Sequence, residues 1–143
     1  MSQRADRLKN ARILIVDDDR DVLESMNVAF KAEGARTMTV ADGNDAVRVC
    51  SEYQPDLVVL DVMLPGRSGF LALEKIKGRE DSPFVIMVTA NEGKRHKAYA
   101  ESLGVDRYLF KPVPLETLLD AAAELLADRE IDLDDEDEDD DED

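Results

Sequence analysis

The strongest constraint on this chain is a set of four short apolar runs, each ending in a reactive polar side chain: Ile13–Val16 in Asp17 and Asp18, Leu57–Leu60 in Asp61, Phe84–Val88 in Thr89, and Tyr108–Phe110 in Lys111. Runs this short and this rich in β-branched residues, separated by stretches of helical periodicity, favour an α/β fold with a parallel sheet covered on both faces. In such a sheet the carboxyl ends of the strands share one edge, and ligands bind along it. Carboxylates, a hydroxyl and an ammonium are therefore expected to converge there.

The same pattern assigns the elements. Strand 1 is expected near Arg12–Val16, strand 2 at Ala35–Val40, strand 3 at Asp56–Leu60, strand 4 at Phe84–Val88 and strand 5 near Arg107–Phe110. Helix 1 spans about Arg20–Glu33, with Val22, Met26, Ala29 and Phe30 on one stripe and Gly34 as its stop. Helix 2 starts with Asn44 or Asp45 as N-cap, buries Ala46 and Val49 or Cys50, and ends before Pro55. Helix 3 is capped by Ser68, turns Phe70, Leu73 and Ile76 inward and stops at Gly78. Helix 4 covers about Glu92–Leu103 before Gly104. Helix 5 covers Pro114–Asp128, with Leu115, Leu118, Leu119, Ala122, Leu125 and Leu126 as its stripe.

A chain of 143 residues supports one core. Its formal charge of −16 is unevenly placed, because Asp134–Asp143 are ten consecutive acids. The domain organisation is read as an N-terminal extension over 1–10, a folded domain over 11–128 and a disordered acidic tail over 129–143. The tail either solubilises the chain, or docks on basic surfaces or weakly gathers divalent ions. Net acidity argues against nucleic acid as a partner, since that binding depends on Lys and Arg neutralising phosphates. No apolar stretch approaches the ~20 residues of a membrane span, and Cys50 is the lone cysteine. The expectation is no membrane and a cytoplasmic location.

Crowding Asp17, Asp18 and Asp61 is unfavourable unless a cation sits among them, and Mg²⁺ suits oxygen donors that also face phosphate. Lys111 offers a point positive charge to a phosphoryl oxygen, and Thr89 offers a hydroxyl donor. With a carboxylate as nucleophile, the product is an acyl phosphate.

The combination of Asp17-Asp18, the stretch Asp61-Val62-Met63-Leu64-Pro65-Gly66, Thr89-Ala90 and Lys111-Pro112 closely resembles the receiver domain of bacterial two-component response regulators, of the stand-alone, chemotaxis-regulator-like kind. The resemblance covers about Arg12–Asp128. It implies a flavodoxin-like sheet order 2-1-3-4-5. It implies that Asp61 is the phosphoacceptor, that Asp18, Asp61 and the backbone carbonyl of Met63 hold Mg²⁺, and that Asp17 supports the metal through water. Thr89, Lys111 and the Ala90 backbone would contact the phosphoryl group, and the Lys111-Pro112 bond would be cis. Tyr108 matches the family's switch aromatic, which turns inward as Thr89 moves; taken alone it is a half-buried strand residue.

The implied function is a phosphorylation-controlled interaction switch or phosphorelay shuttle. The phosphoryl donor would be a histidine kinase or histidine phosphotransfer protein, and output would pass from the helix 4–strand 5–helix 5 face to a downstream protein, with Lys94–Lys97 helping. The chain would be a monomer or weak homodimer. It would not be an enzyme in the ordinary sense, although it would catalyse its own phosphoryl transfer and dephosphorylation, with Met63 and Asn91 flanking the site at positions that tune the latter. Two other classes compete. One is a small haloacid-dehalogenase-like phosphatase with Asp17 as nucleophile, against which Asp21 stands where Thr or Val is preferred; the other is a degenerate receiver acting as a scaffold. His96 reads as part of a solvated helix face rather than a zinc ligand, and Cys50 as a small buried hydrophobe. The run from Asp17 fails as a calcium loop, because Val22 and Val28 stand where Gly and Glu are needed.

Overall fold

The computed structural model describes residues 7–90 and 93–127. Strand β1 (Arg12–Val16) shows how alternation builds the two faces. Ile13 and Ile15 join Met26, Phe30, Leu118 and Ala122 in one apolar layer, whereas Leu14 and Val16 join Ala46, Val49, Leu73 and Ile76 in the other. Successive strand side chains point to opposite faces, so a run apolar at every position needs cover on both sides.

The elements follow as α1 (Arg20–Ala32), β2 (Arg36–Val40), α2 (Gly43–Tyr53), β3 (Leu57–Leu60), α3 (Gly69–Lys77), β4 (Phe84–Thr89), α4 (Lys94–Ser102) and β5 (Arg107–Phe110), with a last helix, α5, over residues 115–127. The five strands are parallel in the order β2-β1-β3-β4-β5, the flavodoxin-like arrangement expected. Helices α1 and α5 cover one face and α2, α3 and α4 the other. All four residues of β3 are fully buried, as its central place requires.

Several local expectations are corrected. The N-cap of α2 is Asp42 rather than Asn44 or Asp45: its backbone is extended and its carboxylate accepts from the Asp45 N–H at 2.8 Å. That helix ends at Gln54 in the left-handed region, at φ 53°. Leu115, placed on the α5 stripe, is 39% exposed, since the stripe takes effect only from Leu118. Helix α5 begins one residue after Pro114, whose carbonyl accepts from the Leu118 N–H. Ser68 caps α3 as expected, and Gly34 adopts φ 90° after α1. Cys50 is buried, and burial pushes its thiol up.

Leu8, within the stretch read as an extension, is 1% exposed in the α1–α5 layer. Beside it Arg7 spans Glu33 at 2.9 Å, Asp120 at 2.7 Å and Glu116 at 3.5 Å, tying the end of α1 to α5. Asn91, the start expected for helix 4 at Glu92, the end of helix 5 at Asp128 and the acidic tail lie outside the described residues.

Candidate functional site

Strand register assembles the site. Val16 faces Leu60 across β1 and β3, so the residues that follow them, Asp17 and Asp61, emerge side by side at the carboxyl edge. One strand further, Thr89 pairs with Phe110, which delivers Lys111 to the same edge. The Lys111 N–H donates to the Thr89 carbonyl at 2.8 Å, and the Lys111-Pro112 peptide is cis.

The side chains then converge. Lys111 Nζ donates to Asp17 Oδ2 at 2.8 Å and to Asp61 Oδ2 at 3.0 Å. The remaining oxygens are held by backbone: Asp17 Oδ1 accepts from the Asp19 N–H at 2.9 Å, and Asp61 Oδ1 from the Met63 N–H at 3.1 Å. Oxygens of Asp17, Asp18 and Asp61 all lie within 4.8 Å of one another. Asp17 and Asp61 are buried while Asp18 faces solvent, so the cluster has one open side. Thr89 is fully buried, and Ala90 beyond it is exposed.

Electrostatics follow from this crowding. Burial pushes the Asp61 carboxyl above its ordinary value, aided by the charge on Asp17 and opposed by the hydrogen bonds from Lys111 and Met63. Burial alone would lower the Lys111 ammonium, but hydrogen bonds to Asp17 and Asp61 outweigh it and leave the pKa raised. Lys111 is thus a fixed cation, and three carboxylates around one ammonium leave negative charge in excess. Oxygen donors alone, one side open to water and uncompensated charge suit a hard divalent cation that keeps part of its hydration.

Two other residues behave differently from expectation. Tyr108 lies inside the α2–α3–α4 layer, 8% exposed, with Phe110 edge-on at 5.4 Å, and its hydroxyl has no partner among the described residues. Burial, then the charge on Asp61, raises that phenol. His96 is not on a solvated face: it is half-buried with its ring 5.5 Å from Phe70, which also meets Tyr99 at 5.2 Å. Position 70 was read as apolar core, and nothing in the α4 sequence signals that a histidine covers it.

Sequence reasoning also missed Gly69. A Cβ there would lie 2.2 Å from the carbonyl oxygen of Asp61, so only glycine lets α3 begin so close to the site. A glycine directly after the cap Ser68 was the available signal. At Met63, whose carbonyl is the expected metal ligand, the backbone N–H adds a contact of its own by donating to Asp61 Oδ1.

Residues 13–123 match the family model of the response regulator receiver domain. Among solved structures, a CheY-like receiver domain protein from Methanospirillum hungatei is 29% identical over 87% of this chain and 99% of its own, with a TM-score of 0.82. The receiver domain of the Francisella response regulator 1452 is 26% identical over 84% and 98%, with a TM-score of 0.76. The BeF3-activated N-terminal receiver domain of RstA from Klebsiella pneumoniae is 25% identical over 76% and 92%, with a TM-score of 0.71.

Proposed function

This chain belongs to the response regulator receiver family, and on that premise we propose that it is a phosphorylation switch whose acceptor is Asp61. The observation that carries the reading is the Lys111 bridge. One ammonium is held between two buried carboxylates at the edge where Asp18 opens to solvent. Asp61 is already oriented at both oxygens, so one of them can attack phosphorus in line while the bond to a donor's imidazole nitrogen breaks, with little further ordering to be done.

Each neighbour has a role in that transfer. Lys111 balances charge on the transferred phosphoryl group, the Thr89 hydroxyl donates to it, and the Ala90 N–H adds a second donor. Mg²⁺, held by Asp18, Asp61 and the Met63 carbonyl with Asp17 behind a water, would supply neutralisation of the incoming phosphoryl charge. Asp17 keeps Lys111 aimed at Asp61 in the absence of that charge. The donor is a histidine kinase or phosphotransfer protein of the cytoplasm.

Output follows from Thr89 and Tyr108. Thr89 and Tyr108 stand on adjacent strands, and drawing the hydroxyl toward a phosphoryl group alters the space available to the ring. The ring then favours one of two arrangements of the α4–β5–α5 surface. Only differential contact with the phosphoryl group can bias the two states.

A small-molecule phosphodonor with Mg²⁺, followed by peptide mapping, tests this. The expected label is on Asp61, lost in Asp61→Asn and on removal of Mg²⁺ by a chelator. A label on Asp17 would instead make the chain a phosphatase-like protein, and a wild-type chain that takes none, and whose spectrum is unmoved by beryllofluoride, is a scaffold.

A further inference from the structure

The first turn of α4 is electrostatically inverted. Lys94, Arg95 and Lys97 are exposed, none is in an ion pair among the described residues, and no acid shares that turn. A helix N-terminus is itself positive, so these cations stand where anions are favoured. The N-cap is Gly93, and no side chain among the described residues caps the turn. Beside this turn lies an open groove of about 480 Å³ lined by Lys94, Lys97, Ala98, Glu101 and Phe110, the last 38% exposed. Among the described residues, Glu101, at the far end, is the only acid lining it.

The same chain carries the complementary charge. Ten consecutive acids, Asp134–Asp143, lie in sequence beyond the last described residue, 127, with six residues between. Helix α5 begins at the carboxyl edge, and its described residues 115–127 run ~20 Å toward the opposite one. Six extended residues cover about that distance, and the full 16 after residue 127 reach roughly 50 Å. The acidic run can therefore return past edge strand β5 to α4, and tethering presents it there at an effective concentration on the order of millimolar.

We propose that Asp134–Asp143 fold back onto the first turn of α4 and its groove, held by Lys94, Arg95 and Lys97. The tail then covers part of the face through which output is proposed to pass, so a partner must displace it. That competition rests on the function proposed above; the docking does not.

Amide spectra of the full unphosphorylated chain, with no phosphodonor present, test the docking alone. They are compared with a full-length variant in which the ten acids are replaced by Asn and Gln. Shift differences should cluster at residues 93–98, 101 and 110. They should be lost at 0.5 M salt, where the screening length is only about 4 Å. They should be unchanged by tenfold dilution, and lost in the chain carrying Lys94→Glu, Arg95→Glu and Lys97→Glu. Differences that vanish on dilution would overturn the proposal in favour of docking on a second copy. No differences, or differences centred elsewhere, would overturn it outright.

Discussion

Helices α1 and α4 start at the same edge of the same sheet, yet they are secured in opposite ways. Asp19 caps α1 by accepting from the N–H groups of Asp21 and Val22, Asp21 adds an acid to its first turn, and Met26 and Phe30 are buried beneath it. Helix α4 has a glycine cap, three cations at its start and Ala100 as its only buried residue. The contrast shows where rigidity is concentrated. The helix that follows the carboxylates is fixed by cap, dipole and core together, and the helix that follows Thr89 is held by little, which leaves it the easier one to shift. Local stability is expected to differ accordingly.

The comparison breaks most severely at Phe30. Phe30→Ala, which empties a fully buried site, should cost about 3–5 kcal/mol in denaturant unfolding, whereas substitutions of exposed α4 residues such as Lys97→Ala should stay within ~0.5 kcal/mol. A second test loads the α1 side with metal: at a Mg²⁺ concentration of 100 times its Kd, global stability should rise by about 2.7 kcal/mol, and hydrogen exchange should slow first around Asp17–Asp19. No change in either would remove the metal from the account. Smaller still is the cap itself, where Asp19→Ala should cost ~1 kcal/mol and speed exchange at Asp21 and Val22. The least effect, about 0.5 kcal/mol of stabilisation, is expected when α4 is given what α1 has: Gly93→Asp supplies a cap to a backbone already at φ −63° and offsets the cations behind it. If amide exchange in α4 is as slow as in α1 before that change, the contrast between the two helices is wrong.

The parts of the molecule legible from sequence were those where one physical signal dominates. The run from Leu57 to Leu60, short and bounded by polar residues, has the pattern of a strand covered on both faces, and the polar residues that end four such runs had to meet once the strands were parallel, which is why Asp17, Asp61 and Lys111 were found together. Where several residues offered the same chemistry, sequence could not choose among them. Asp42, Asn44 and Asp45 are all competent caps, and only the extended backbone at Asp42 selects it. Long-range partners left no trace in local pattern either. Arg7 reaches Asp120 across 113 residues, and His96 lies against Phe70 because two helices happen to meet there. Leu115 fits the periodicity of α5 and is exposed nonetheless, since periodicity names a stripe and not how far the sheet beneath it extends.

Gly69 sets a rule for anyone recombining this domain with its relatives. The floor on which α3 rests is the peptide of Asp61 itself, with no room between them for even a methyl group. A foreign third helix can be grafted only with glycine at its first position; any other residue would push the Asp61 backbone out of place before a single surface contact had been redesigned.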